Sequence, residues 1–159
     1  MNNFTRLFAG KRPVIAMVHL MPLPGAPLYD ETAGIAAIVQ AARADLNALQ
    51  AAGVDAVMFG NENDRPYELS VDVASTATMA YVIGQLRSLI TVPFGVNVLW
   101  DPCSSVALAA ATGASFVREI FTGTYASDFG LWEGKAAEAM RYRNRLGRKD
   151  LAMLYNVSA

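Results

Sequence analysis

The sequence predicts an α/β protein of the (β/α)₈ TIM-barrel type, present in part as about five strands and four helices. Three observations carry that expectation. Short apolar runs alternate with longer segments of helical periodicity, in the order strand, loop, helix, Gly-containing turn, strand. That order implies right-handed βαβ units and a parallel sheet covered by helices. The loop after the first run reads Met21-Pro22-Leu23-Pro24-Gly25, with neither a G-x-G-x-x-G fingerprint nor a P-loop, which favours a barrel over a doubly wound sheet. Finally, the polar residues that interrupt the apolar runs fall where strands end, the functional rim of a barrel.

The first strand is the apolar run Val14 to Leu20. After the Pro-rich loop Met21 to Asp30, a helix spans about Ala33 to Ala52, with Ile35, Ile38, Val39, Ala42, Leu46 and Leu49 on one stripe and Gly53 as its terminator. Strand two is Asp55 to Phe59, followed by a polar loop from Asn61 to Pro66. The second helix lies within Val71 to Leu89. Pro93 introduces strand three, Phe94 to Leu99, and Asp101-Pro102 pairs a cap with a first-turn proline for a third helix that runs to Ala111. Gly113 ends it, and strand four is Ser115 to Ile120. The loop Phe121 to Gly130 leads to a fourth helix, about Leu131 to Leu146, and strand five is Leu151 to Asn156.

The 159 residues, 53% hydrophobic and 17% charged, suit one domain over residues 1–159 with a real core and exclude a disordered chain. No run approaches the ~20 apolar residues of a membrane helix, and the run at 14–18 is too short and lacks the cleavage site of a signal peptide. A cytoplasmic protein without membrane contact is expected. The basic residues Arg141, Arg143, Arg145, Arg148 and Lys149 read as a solvated helix end, so nucleic acid is not an expected partner. A single cysteine, Cys103, excludes an intrachain disulfide framework. A closed barrel needs eight strands, and five leave two unpaired edges. The expectation is a chain truncated relative to a functional barrel or completed by another chain, and hence a homo-oligomer.

Several stretches carry a resemblance: Met17-Val18-His19-Leu20-Met21-Pro22-Leu23-Pro24-Gly25, Gly53 to Phe59, Pro93 to Pro102, Gly113 to Glu119, and Ser127-Asp128-Phe129-Gly130. In this order they resemble the BtpA family, named for a photosystem I biogenesis factor, and most of all its SgcQ-like branch, linked to sugar-utilisation gene clusters. The resemblance covers the whole chain and implies a ribulose-phosphate-binding-type barrel. It implies no settled activity. Two positions depart from the commoner family pattern. Gly60-Asn61 stands where that pattern has Glu-Asn, and Glu119-Ile120 follows the strand-four arginine where it has Asn.

The candidate site residues are the polar groups at strand ends. His19, the only histidine, ends strand one and is a candidate acid/base; its bland alternative is a residue that fixes the Pro-rich loop. Glu119 and Asp128 are the other candidate catalytic groups. Asn61, Asn97 and Arg118 are candidate substrate-binding groups, Arg118 for a phosphate or carboxylate. Neighbouring strand residues point to opposite faces, so either Arg118 or Glu119, not both, is expected to face the barrel interior. His19 with Glu62, Glu119 or Asp128 forms no metal-spacing motif, so no metal is assigned, and the cofactor is unknown. Cys103 sits in the first turn of the third helix, where the dipole lowers a thiol pKa, yet it reads as an inert thiol. The leading expectation is a small-molecule enzyme acting on a phosphorylated or sugar-like metabolite. The alternatives are a non-catalytic assembly factor and an inactive barrel fragment. His19, Asn61, Asn97 and Asp128, with Arg118 or Glu119, are expected around one concavity.

Overall fold

A computed structural model of the chain describes residues 3–127 and 130–156. Its framework is a five-stranded sheet in the order β1 (Ile15–His19), β2 (Ala56–Gly60), β3 (Phe94–Asn97), β4 (Phe116–Glu119) and β7 (Ala152–Tyr155). Every neighbouring pair is parallel, and strands adjacent along the βα repeat are adjacent in space, as in one side of a barrel. The crossovers are α2 (Gly34–Ala51), α3 (Val73–Leu86), α4 (Pro102–Thr112) and α5 (Ala136–Arg145).

Local chemistry sets the helix ends. The Asp72 carboxylate accepts the Ala74 N–H at 2.6 Å at the start of α3, and the Asp101 carboxylate accepts the Ser104 N–H at 2.9 Å at the start of α4. Gly113, at φ +76°, closes α4 in the left-handed conformation that glycine adopts without a Cβ clash. The helices cover one sheet face. Val18, Val57, Phe59, Val96 and Val117 from the strands pack there with Ile38, Leu46, Met79, Ile83 and Leu108 from the helices, all buried.

The other face is the barrel interior. Its lower row reads Met17, Met58, Gly95, Phe116 and Ala152 across the sheet. A Cβ on Gly95 would lie 2.2 Å from the Phe116 ring, so the missing side chain is what lets that ring lie across β3. A short helix, α1 (Asn3–Phe8), plugs the lower end. Phe8 meets Phe116 edge-on at 6.2 Å between ring centroids. The Asn3 amide donates to the Lys149 carbonyl at 2.8 Å. Among the described residues, no helix is long and apolar enough to cross a membrane.

Two elements differ from the sequence expectation. The segment from Leu131 does not open a helix. Leu131, Trp132 and Glu133 belong to β6 (Gly130–Glu133), which pairs antiparallel with β5 (Thr124–Ser127), and α5 begins only at Ala136. Gly134 explains the break: a Cβ there would come within 2.5 Å of the Phe121 carbonyl, where the two ends of the hairpin meet. Helix α1 was not foreseen, because six residues with one turn of hydrogen bonds form only against a preformed surface.

Candidate functional site

Glu119 ends β4 at the C-terminal rim and is 2% exposed. The Asn97 amide, from the end of β3, donates to one carboxyl oxygen at 2.5 Å. The Ile120 N–H donates to the other at 2.8 Å, and the Trp100 backbone N–H donates to the same group. Burial dominates these favourable contacts and the nearby Arg118 charge, and pushes the Glu119 carboxyl from its ordinary 4.5 up to about 7. Such a group exchanges a proton readily at neutral pH.

Arg118 and Glu119 both reach the site, contrary to the expectation that strand alternation admits one of them. Arg118 lines the inner face together with Ile15, Met17, Met58, Phe116 and Leu154. It also lines, with Asn97, Leu99, Trp100, Glu119, Ile120 and Asn156, a cavity of about 240 Å³ at the rim. The strand ends at Glu119, so its side chain is free to meet Asn97 over the sheet edge instead of obeying the pleat. Arg118 is exposed, and among the described residues its guanidinium makes no ion pair.

The turn beyond β3 shapes this cavity. The Asp101 N–H closes it on the Val98 carbonyl at 3.0 Å, with Leu99 and Trp100 at its centre. Trp100 has φ +66°, a conformation that costs a bulky L-residue about 1–2 kcal/mol. Its carbonyl accepts the Trp132 indole N–H at 3.3 Å, and the two indoles meet at 73° with centroids 5.9 Å apart. Trp132, on β6, is 2% exposed. Sequence reasoning missed both tryptophans; the bracketing Gly123, Gly130 and Gly134 around β-forming Tyr125 and Trp132 were the available signal.

Asn61 lies in a neighbouring cleft. Its carbonyl accepts the Leu99 N–H at 2.8 Å and its amide reaches Asp64 at 3.4 Å, so it ties the β2 loop to the β3 loop. The Asp64 carboxylate in turn accepts the Leu23 N–H at 2.7 Å, and Asn63 donates to the Leu20 carbonyl at 2.7 Å. These groups hold the Pro-rich loop. Burial raises the Asp64 pKa against the hydrogen bonds that lower it. A cleft of about 260 Å³ opens here between Gly25, Asn61, Asp64, Tyr67, Ser75 and Leu99. Leu99 lines both cavities.

His19 is exposed at the end of β1, in register with Gly60, which is in register with Asn97. It thus stands on the same rim as Asn97 and lines neither cavity. Asp128 lies outside the described residues. Asn156, beyond β7, donates its N–H to the Glu119 carbonyl at 3.2 Å. Among the described residues no three His, Cys, Asp or Glu side chains converge on a metal position. Cys103 behaves oppositely to a dipole-activated thiol: burial first, then the Glu138 carboxylate, push it up to about 11.

Comparison with known proteins gives the family and the fold. The chain is 52% identical over 147 residues to the sgc region protein SgcQ of Escherichia coli, covering 92% of the chain and 55% of that protein. It is 38% identical over 153 residues to the photosystem I biogenesis protein BtpA of Synechocystis, covering 94% and 52%. The chain therefore spans about half the length of the curated relatives it matches. Among solved structures, dihydropteroate synthase of Xanthomonas albilineans matches with a TM-score of 0.56 at 21% identity, over 87% of this chain and 44% of that one, which supports the barrel fold alone. The BtpA family model matches residues 10–159, and the chain belongs to the BtpA family.

Proposed function

We propose that the C-terminal rim is an acid–base site for a small phosphorylated or sugar-like metabolite. One observation carries this: a buried carboxyl, pushed up to about 7, shares a cavity with an exposed guanidinium that makes no direct ion pair among the described residues. Glu119 moves the proton, at a site poised near neutral pH. Arg118 takes the anionic group of the substrate in a two-pronged grip. Asn97 orients the Glu119 carboxyl. His19, two strand positions and so roughly 10 Å from Asn97 along the rim, is assigned as a second proton-transfer group. Gly60, between His19 and Asn97 in register, puts no side chain in the gap. Asp128 completes the assignment as a third proton-transfer group. The protein acts in cytoplasmic sugar metabolism as a homo-oligomer.

The test is calorimetric and thermal-shift titration of the chain with inorganic phosphate and a panel of sugar phosphates and sugar acids. At least one phosphorylated or carboxylated polyol is expected to bind, and Arg118→Met is expected to abolish that binding. Absence of any such binder, or equal binding by Arg118→Met, contradicts the proposal. The rival reading, a non-catalytic assembly factor, comes from the name of the Synechocystis relative and predicts indifference to both Glu119 and Arg118.

A further inference from the structure

The turn at residues 98–101 carries its largest side chain at its least hospitable position. The Asp101 N–H to Val98 carbonyl bond makes Trp100 the third of four turn residues, and φ +66° there is the conformation glycine fills without strain. A bulky residue persists in such a conformation only where its surroundings over-determine it, and such positions gather at functional sites. Here three contacts do so. The Trp132 indole N–H holds the Trp100 carbonyl. The two indoles pack edge-to-face. Trp132 also packs against Tyr125 of β5, with ring centroids 6.0 Å apart. The Trp100 N–H, on the preceding peptide plane, donates to Glu119.

We infer that Trp100 is a positioning residue for Glu119, and that the β5–β6 hairpin, through Trp132, sets the environment of that carboxyl. The hairpin is thereby a control element of the site and not only a decorated loop. This rests on the acid–base reading for the importance of Glu119, but not for the contact itself. The expected chain of effects is mechanical. Loosening Trp132 frees the Trp100 carbonyl, the strained turn relaxes, the N–H swings off Glu119, and water enters beside the carboxyl. Burial is the main reason for the raised titration midpoint, so hydration outweighs the lost donor and the midpoint falls.

The experiment is a carbon-detected NMR titration of the Glu119 carboxyl, with the Trp100 amide shift followed in parallel, on the wild-type chain and three variants. Trp132→Leu is expected to lower the midpoint by about one pH unit. Trp132→Phe keeps the ring packing but not the indole N–H, so its midpoint is expected between those of Trp132→Leu and the wild type. Trp100→Gly accepts the turn conformation without strain, so it should fold with the N–H in place; it removes the indole that lines the cavity beside Glu119 and is expected to lower the midpoint by admitting water. Midpoints unchanged in Trp132→Leu or, should that variant unfold, in Trp100→Gly overturn the inference. A Trp100 amide that does not track the Glu119 titration in the wild type also overturns it. If the wild-type midpoint lies in the ordinary carboxylate range while the Trp100 amide still tracks it, the acid–base reading fails and the positioning role survives.

Discussion

On the inner face of the sheet, two rows of residues one pleat apart have opposite characters. The lower row, Met17, Met58, Gly95, Phe116 and Ala152, is apolar and is closed from below by Phe4 and Phe8 of α1. The next row up holds His19, Gly60 and Asn97 in register, with Arg118 on β4. The two are separated by roughly 7 Å along the strands. The lower row gains stability by burial and close packing. The upper row gives that up, since it buries Asn97 beside Glu119 and leaves Arg118 without a direct ion pair among the described residues. A barrel keeps its stability and its chemistry at opposite ends of the same strands, and here the boundary falls between adjacent rows.

Substitutions test that division. The largest effect is expected in the lower row: Phe116→Ala removes a fully buried ring and should cost about 3–5 kcal/mol in urea unfolding. Gly95→Ala places a methyl group into the Phe116 ring and should cost about 1–3 kcal/mol by overpacking. The same change made on top of Phe116→Ala should cost almost nothing further. Simple additivity of the two would mean that the ring does not lie over Gly95.

A smaller effect, of a different kind, belongs to the upper row. Glu119 binds its proton more tightly folded than unfolded, so the folded state holds the extra proton between about pH 4.5 and pH 7. Stability assignable to Glu119 is therefore full below pH 4.5, declines as pH rises through that window, and levels off above pH 7. The decline amounts to about 3 kcal/mol. Glu119→Gln should erase it, measured as the difference between the two stability–pH curves. Parallel curves would place Glu119 outside the buried site. The smallest effect is expected away from both rows: Cys103→Ser should change stability by no more than about 0.5 kcal/mol and leave ligand binding intact.

The backbone plan was legible because it is written in local signals. Pro102 after Asp101, Gly113 after α4, and the apolar stripe of α2 each announce an element boundary or face without tertiary information. The hairpin was not legible in the same way. Leu131, Trp132 and Glu133 fit the start of a helical pattern, and their pairing with Ala126, Tyr125 and Thr124 across the hairpin is what draws them into a strand. The rim was foreseen because strand ends converge in a barrel, but its pairings were not. Asn97 meets Glu119 through the stagger between β3 and β4 and the end of the strand, neither of which a single sequence records. Asn61 illustrates the converse: a strand-end amide that the sequence offers as a ligand holds the Leu99 N–H and Asp64 instead.

The central claim is that Glu119 keeps a proton in play at neutral pH on the C-terminal rim. Direct titration of its carboxyl by NMR in the wild-type chain tests it most simply. The account predicts a single midpoint near 7, moved by a bound phosphorylated ligand and absent from the Glu119→Gln spectrum. A midpoint in the range of an exposed glutamate, near 4.5, would contradict it.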